Sequence, residues 1–357
     1  MKAIKKNNKD LAIIIIAFFL GALLMYLLIG LKSNNTVISK IYDKSSLSSS
    51  VEKVYDSVVV IESYTGSSLD STGTGFFYKK DNKYAYILTN EHVLSSTITE
   101  VTTSTDEKIE ATILGRDEYL DLAVLRVDKK YAKQIANLGS SDKMNLGDTI
   151  FTVGAPLGIN YKGSVTSGVL SGKDRMVQTT IEGKTTGGWL MKVLQIDASI
   201  NKGNSGGPLL NVNGDVIGIC SLKLTDEEIE GMGFAIPIEY AKAHLTELET
   251  GKKLTWPELG IKMTDVTNTA TLEENDIDIP TALREGVAIL DIKKGSSAEK
   301  AHLKKGDVIV AINNNNTKNI AYLKYELFQY QVGDRITIKY IRKGKNKTTN
   351  TILNSSN

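Results

Sequence analysis

The chain has little cysteine and almost no excess of charge, and each shortage excludes a class of protein. Cys220 is the single cysteine among 357 residues, so neither an intramolecular disulfide nor a cysteine-based metal site can form. Lys and Arg number 43 against 41 Asp and Glu, a net charge of +2. Because no basic stripe is interleaved with aromatic residues either, we expect no nucleic-acid partner.

A phosphate-binding loop is also missing. The pattern G-x-x-x-x-G-K-[ST] does not occur in the sequence, so we expect no use of ATP. Cys220 lies in the apolar run DVIGICSL, which indicates a small buried side chain rather than a catalytic thiol. The sequence therefore predicts neither a metal nor an organic cofactor.

One long hydrophobic run is present. Leu11 to Leu31 contains 21 residues without a charge, and about 20 apolar residues span a bilayer as a helix. Lysines precede it at Lys2, Lys5, Lys6 and Lys9, and Lys32 follows it. A cleaved signal peptide is the alternative, but the run is long for one and no A-x-A site follows. We expect an uncleaved anchor at 11–31, with residues 1–10 cytoplasmic and the rest outside.

The remainder divides into two units after a linker at 32–50 that is rich in Ser, Asn and Lys. From Val51 to Pro237, short β-rich runs are broken by turn signals, which favours an all-β barrel or sandwich. The run from Ile236 to Gly251 predicts a helix. We place a first domain at 51–251, a small α+β domain at 258–346 and a polar, frayed tail at 347–357.

The decapeptide NKGNSGGPLL, Asn201 to Leu210, surrounds Ser205 with glycines. It suits either a turn or a nucleophile whose backbone N–H groups are open to an oxyanion. The G-x-S-x-G turn of α/β-hydrolases needs a helix after the serine, with the acid and histidine later in the chain. Here Pro208 and a hairpin turning at Asn213–Gly214 follow, so that interpretation fails.

Two residues upstream offer a base and an acid. His92 follows the apolar strand YILTN, and Asp121 begins the strand LAVLRV. Each alone is most simply structural, but the order His, Asp, Ser on a β-rich chain is typical of the chymotrypsin-like arrangement. His92 would take the proton of Ser205, and Asp121 would orient the imidazole. We assign the oxyanion hole to Gly203, Asn204 and Ser205, with the N–H groups of Gly203 and Ser205 as donors.

The motifs TNEHV, DLAVLRV, LGSSDKMNLGDTIFTVGAPLG, SVTSGVLSG, QIDASINKGNSGGPLLNVNGDVIGI and GMGFAIP resemble the HtrA/DegP family of serine proteases. They cover nearly all of the first domain in the family's order. The resemblance implies a mainly β fold of two six-stranded barrels with the site in the cleft between them. His92 and Asp121 would come from the first barrel and Ser205 from the second.

The second domain resembles the PDZ domain of the same family through GVAILDIKKGSSAEKAHLKKGDVIVAINN. Its ELGI segment aligns with the carboxylate-binding loop, so the resemblance implies that the amides of Leu259, Gly260 and Ile261 hold a peptide C-terminus. Glu258 stands where the family usually has an aromatic residue. His302, in KAHLKKGD, is expected at a helix end on the surface.

Substrate preference is predicted from residues near Ser205. Ser199 takes the position expected at the base of the specificity pocket, with Ile219, Cys220 and Ser221 near its wall. Because none of these is acidic, we expect an aliphatic residue rather than Lys or Arg before the cleaved bond. The resemblance also implies that the irregular segment from Asp174 to Trp189 is the loop that relays PDZ occupancy or trimer contacts.

Three functions remain open on this sequence. The leading one is an ATP-independent, membrane-anchored endopeptidase that removes unfolded or damaged extracytoplasmic proteins in quality control and stress response. A tethered chaperone or peptide-binding adaptor and a signalling protease with one substrate are the alternatives. The resemblance also implies a homotrimer.

Overall fold

The computed structural model describes residues 16–26, 47–94, 98–179, 188–222, 231–280 and 282–355. The chain divides into two compact units, Met1–Ser49 and Ser50–Asn357. Residues 16–26 are helical, but no helix within the described ranges is both long and apolar enough to cross a membrane. The rest of the predicted anchor at 11–31, and the predicted linker as far as residue 46, lie outside the described residues.

The first sheet of the second unit is antiparallel. Its strands are β1 (Val58–Thr65), β2 (Ser68–Lys80), β3 (Tyr84–Thr89), β4 (Ile98–Thr102), β5 (Lys108–Glu110), β6 (Thr112–Asp117) and β7 (Leu122–Asp128). They are ordered β5-β4-β1-β2-β3-β7-β6. The runs VVVI of β1 and LAVL of β7 are fully buried, as expected of β-branched and aliphatic runs in a barrel wall.

The second sheet follows in the chain and holds the glycine-rich serine turn. Its strands are β8 (Asn137–Leu138), β9 (Thr149–Gly154), β10 (Ser164–Thr179), β11 (Trp189–Ile196), β12 (Pro208–Asn211), β13 (Asp215–Cys220) and β14 (Gly233–Pro237). They are ordered β12-β9-β10-β11-β14-β13-β8, and β12 also pairs with β13. The hairpin from β12 to β13, predicted from Asn213–Gly214, is confirmed.

A small mixed domain completes the unit. Its strands are β15 (Pro257–Glu258), β16 (Ile261–Asp265), β17 (Val287–Ile292), β18 (Val308–Ile312), β19 (Asn315–Asn316), β20 (Arg335–Arg342), β21 (Lys345–Ile352) and β22 (Asn354–Ser355). From residue 47 onward, the helices in the described ranges are α1 (Ser48–Glu52), α2 (Ile238–Glu249), α3 (Thr269–Glu274), α4 (Ser297–Lys300) and α5 (Ile320–Leu327). Short 3₁₀ turns occur at Tyr55–Ser57, Glu91–Val93, Lys129–Tyr131 and Ile159–Tyr161.

Three expectations need correction. Each barrel sheet has seven strands in the described residues rather than six, because the very short β5 and β8 join by three- and two-residue pairings. The tail predicted at 347–357 is wrong, since β21 pairs with β20 and Leu353 is buried. Asp174–Trp189 is only partly irregular, because β10 continues to Thr179 and residues 180–187 lie outside the described ranges.

Candidate active site

The ends of two paired strands bring His92 and Asp121 together. Strands β3 and β7 are antiparallel, with Thr89 opposite Ala123, so the turn after β3 lies beside the turn before β7. His92 Nδ1 lies 2.8 Å from Asp121 Oδ1 and 2.9 Å from Oδ2. Because a carboxylate accepts, the ring donates from Nδ1, which leaves Nε2 as the acceptor that a general base needs.

Asp121 is buried and fixed from several directions. Its side chain also accepts hydrogen bonds from the His92 backbone N–H at 3.1 Å and from Ser221 Oγ at 3.0 Å. Its carbonyl accepts from Asn90 Nδ2 at 2.8 Å. The residue has φ 53°, a left-handed conformation that aspartate tolerates better than most residues. These bonds hold the carboxylate in one orientation behind the imidazole.

The glycines around Ser205 are required by the backbone. Gly203 has φ +102°, and a Cβ there would lie 2.3 Å from the carbonyl oxygen of Ala155. Gly206 has φ +85°, and a Cβ there would lie 2.2 Å from the carbonyl oxygen of Thr74. Since both conditions exclude a side chain, this segment is more than a surface turn: it is a tight loop packed between the barrels.

The N–H groups of this loop are not equivalent. Asn204 N–H donates to the carbonyl of Asn201 at 2.9 Å, so its assignment to the oxyanion hole is wrong: the turn already uses that donor. Within the described residues, no acceptor takes the N–H of Gly203 or of Ser205. These two are the donors available to a developing oxyanion.

Thr74 joins the serine loop to the first barrel, and the sequence analysis did not identify it as a residue of the site. Its N–H donates to the Ser205 carbonyl at 2.8 Å, and its Oγ1 donates to the Gly203 carbonyl at 2.7 Å. The same Oγ1 accepts from Ala155 N–H at 3.1 Å. The residue is fully buried. The only signal in the sequence is a threonine within STGTG, which also suits an ordinary strand.

The nucleophile and the base are not joined in this state. Ser205 Oγ accepts a hydrogen bond from Leu222 N–H at 3.0 Å. No hydrogen bond between His92 Nε2 and Ser205 Oγ occurs in the described part of the chain. Catalytic hydrogen bonds in unliganded enzymes are often long and tighten when substrate binds, so the arrangement is compatible with His92 acting as the base.

The predicted specificity-pocket residues differ in their surroundings. Ile219, Cys220 and Ser221 are fully buried, whereas Ser199 is exposed and accepts a bond from Thr166 Oγ1 through its carbonyl. The Ser221 hydroxyl donates to Asp121, so it orients the acid. Burial raises the pKa of Cys220 to about 12, which keeps the thiol neutral, as its apolar run predicted. The role of these four residues in substrate selection stays a prediction.

The other two histidines, His244 and His302, lie in other surroundings than the candidate active site. His244 lies in α2 with its ring 5.8 Å from that of Trp256. His302 is exposed and follows the end of α4 with φ 57°, as the sequence predicted. The structure therefore agrees with the sequence in excluding an α/β-hydrolase arrangement, in which the catalytic histidine follows the serine in the chain.

The predicted carboxylate loop lines a groove in the small domain. Within the described residues, the N–H groups of Leu259 and Gly260 have no backbone acceptor, although the carbonyls of both accept hydrogen bonds, from Ala298 and Lys293 respectively. Gly260 has φ +68°. Backbone N–H groups that make no hydrogen bond within the fold can donate to a carboxylate. The loop therefore has the donors that the prediction requires.

Comparison with known proteins identifies both domains. Residues 73–219 match the trypsin-like peptidase domain and residues 257–353 match the PDZ domain. The chain is 34% identical to the serine protease Do-like HtrA of Lactococcus lactis subsp. cremoris, over 90% of this chain and 87% of that protein. It is 37% identical to the serine protease Do-like HtrB of Bacillus subtilis, over 90% of this chain and 74% of that protein.

A solved structure has the same fold. The serine endoprotease from Yersinia pestis superimposes with a TM-score of 0.64 at 25% identity, over 88% of this chain and 99% of that one. The described residues thus combine a His–Asp pair, a glycine-framed serine and a PDZ domain. The chain belongs to the HtrA family of trypsin-like serine proteases and is a serine-type endopeptidase.

Proposed function

We propose that this protein is a membrane-anchored, ATP-independent endopeptidase that cleaves unfolded or damaged proteins outside the cytoplasm, using His92, Asp121 and Ser205. The observation that carries the proposal is the buried Asp121 carboxylate, which holds His92 Nδ1 at 2.8 and 2.9 Å. This geometry gives the imidazole one tautomer, and that tautomer can accept the serine proton.

The chemistry follows from these positions. His92 Nε2 accepts the proton as Ser205 Oγ attacks the peptide carbonyl, and Asp121 stabilises the imidazolium that forms. The N–H groups of Gly203 and Ser205 stabilise the oxyanion. His92 then donates the proton to the leaving amine, and water repeats the sequence on the acyl-enzyme. Leu222 N–H must release Ser205 Oγ for the first step.

Substrate access and location complete the proposal. Ser199 at the base of the pocket favours a small or medium aliphatic side chain before the cleaved bond. The amides of Leu259, Gly260 and Ile261 bind the C-termini of substrates or regulatory peptides. Residues 11–31 anchor the chain with its N-terminus in the cytoplasm, and the chain assembles as a homotrimer. Deleting residues 11–31 should move the protein from the membrane fraction to the soluble one.

The direct test is degradation of casein by the full-length chain without added ATP or metal, beside Ser205→Ala and Ser199→Ala. We expect the wild type and Ser199→Ala to cleave and Ser205→Ala to be inactive. A Ser205→Ala protein that still prevents aggregation of unfolded proteins would add a chaperone activity. Cleavage that persists in Ser205→Ala would contradict the proposed nucleophile.

A further inference from the structure

The groove of the small domain is bounded by residues of two domains. It has a volume of about 830 Å³ and is lined on the PDZ side by residues of β15, β16 and α5. Tyr119 also lines it, although this residue belongs to the turn between β6 and β7 of the first barrel. The groove is therefore not a property of the PDZ domain alone.

The PDZ side of the groove suits an extended peptide. In the described sheet β16-β17-β18-β20-β21, β16 is an edge strand, so one row of its backbone groups faces the groove. A peptide can add there as a further strand. At the start of β16 the amides of Leu259 and Gly260 are available for a terminal carboxylate. The last side chain of such a peptide lies at this end of the groove.

Two aromatic rings line the groove, those of Tyr119 and Phe328. Together with Trp189 and Trp256 they make one aromatic cluster. Phe328 directly follows α5, and its ring centroid lies 5.2 Å from that of Tyr119, with the planes at 87°. Trp256 directly precedes β15 and stacks on Phe328 at 4.5 Å. Tyr119 and Phe328 thus line the same groove as Leu259 and Gly260 of the carboxylate loop, and their rings offer an apolar surface to a side chain of a peptide bound there.

Tyr119 is held in place by the catalytic domain. Asp117 Oδ1 accepts from the N–H groups of Tyr119 at 3.0 Å and Leu120 at 2.9 Å. Asp117 Oδ2 accepts from Trp256 Nε1 at 2.9 Å. Along the chain, only one residue, the buried Leu120, stands between Tyr119 and Asp121. The position of the ring is therefore set by the same turn that presents the catalytic carboxylate.

We propose that Tyr119 completes the peptide groove of the PDZ domain and, with Phe328, selects peptides whose last side chain is apolar. The ligand is an extended peptide with a free terminal carboxylate. This inference rests on the proposed recognition of C-termini and adds a specificity residue from outside the PDZ domain. It also places the ligand in contact with the turn that carries Asp121.

The test measures peptide binding to the full-length chain with Ser205→Ala, which prevents cleavage. Three fluorescent peptides share one body and end in Val, in Ala, or in Val with an amidated terminus, and their binding is followed by fluorescence anisotropy. We expect Tyr119→Ala to weaken the Val peptide about fivefold and the Ala peptide less than about twofold. Tyr119→Phe should keep the preference for Val, because the ring remains.

The matched control is Tyr84→Ala, which removes a partly buried tyrosine of the same barrel that does not line the groove. It should leave all three affinities unchanged. If no free-carboxylate peptide binds the unaltered groove, both the recognition of C-termini and the role of Tyr119 are overturned. If the Val peptide binds and Tyr119→Ala leaves its affinity unchanged, only the role of Tyr119 is overturned.

A second measurement needs no variant at Tyr119. A peptide ending in p-benzoylphenylalanine is photo-crosslinked to the chain carrying Ser205→Ala, which is then digested with trypsin. We expect adducts on the fragment DEYLDLAVLR, residues 117–126, as well as on the PDZ domain. Adducts confined to the PDZ domain would overturn the proposal.

Discussion

Two junctions in the molecule, one between the barrels and one between the catalytic and PDZ domains, differ in chemistry. At the first, Thr74 makes hydrogen bonds of 2.7 to 3.1 Å to the backbone of Gly203, Ser205 and Ala155. At the second, four aromatic rings lie with centroids 4.4 to 5.9 Å apart, and Trp256 donates one hydrogen bond to Asp117.

The difference assigns a role to each junction. Hydrogen bonds to backbone groups weaken steeply when their angles change, so the first junction fixes the serine loop in one geometry. Ring contacts tolerate several offsets and tilts, so the second junction can adjust to a ligand while it stays packed. Catalysis needs the first property, and peptide recognition benefits from the second.

The largest effect is expected from the acid behind the histidine. Asp121→Asn keeps the shape of the side chain but favours the wrong tautomer of His92, so kcat should fall about 10⁴-fold. The measurement is steady-state cleavage of a fluorogenic peptide. Asp128→Asn, an exposed aspartate at the other end of β7, is the control and should cleave normally. An Asp121→Asn enzyme within tenfold of the wild type would contradict the triad.

A Cβ at Gly203 is expected to break the oxyanion hole. Gly203→Ala adds a methyl group 2.3 Å from the Ala155 carbonyl, so the loop must shift and the donors move away from the oxyanion. We expect a loss of about 10²- to 10³-fold in kcat. Gly147→Ala is the control, since Gly147 also has positive φ, at +86°, but no neighbour within 4 Å. Equal losses in both variants would show that backbone strain alone is responsible.

Thr74→Val tests the first junction without changing its volume. The substitution leaves the Gly203 carbonyl and the Ala155 N–H without Oγ1, which should cost about 2 kcal/mol of stability. Displacement of the serine loop should lower kcat/KM about 10- to 100-fold, and Thr74→Ser should retain both properties. Urea unfolding and peptide cleavage measure the two effects.

Thr102→Val is the matched control for that experiment. Thr102 is also buried, but its Oγ1 has no hydrogen-bond partner in the described structure. Replacing it should leave stability unchanged within about 0.5 kcal/mol or increase it. If both threonine variants lose the same stability, the bonds of Thr74 are not what holds the loop.

The smallest expected effect concerns pH at the second junction. Burial raises the pKa of Asp117 despite the hydrogen bonds it accepts from Trp256, Leu120 and Tyr119. An acid with a raised pKa in the folded state binds more protons folded than unfolded, so its contribution to stability falls as pH rises. This contribution to stability begins to fall near the pKa of an aspartate in the unfolded chain, about 4, and the fall ends above the pKa of Asp117 in the folded state.

Unfolding of the wild type and Asp117→Asn at several pH values measures this effect. The Asp117→Asn variant has no titratable carboxyl at this position, so its stability relative to the wild type should increase as pH rises through that window. A constant difference between the two proteins would contradict a raised pKa at Asp117.

The parts of the site that the sequence predicted are those with local patterns. His92 follows an apolar strand, Asp121 precedes another, and Ser205 has glycines that only a strained loop requires. The positive φ of Asp121 had no such signal, because no glycine marks it. The oxyanion assignment failed at Asn204 because hydrogen bonds inside a turn cannot be read from residue types.

Contacts between distant segments could not be predicted. Thr74 and Gly203 are 129 positions apart, and Ser221 and Asp121 are 100 apart. Their hydroxyls carry no pattern that distinguishes them from other strand residues. Strand β21 was missed because its exposed face is polar, and only Thr351 and the following Leu353 are buried there. Tyr119 gave no signal because the rings that it contacts, those of Trp189, Trp256 and Phe328, are at least 70 positions away in the chain.

Covalent labelling of Ser205 is the measurement that tests the central claim most directly. A fluorophosphonate reacts with a serine that is activated by a base, and mass spectrometry locates the adduct. We predict that the adduct forms on Ser205 in the wild type and that its formation is strongly slowed by Asp121→Asn, whereas Asp128→Asn has no effect. An adduct on another serine, or labelling of Ser205 at the same rate in Asp121→Asn, would contradict the proposed site.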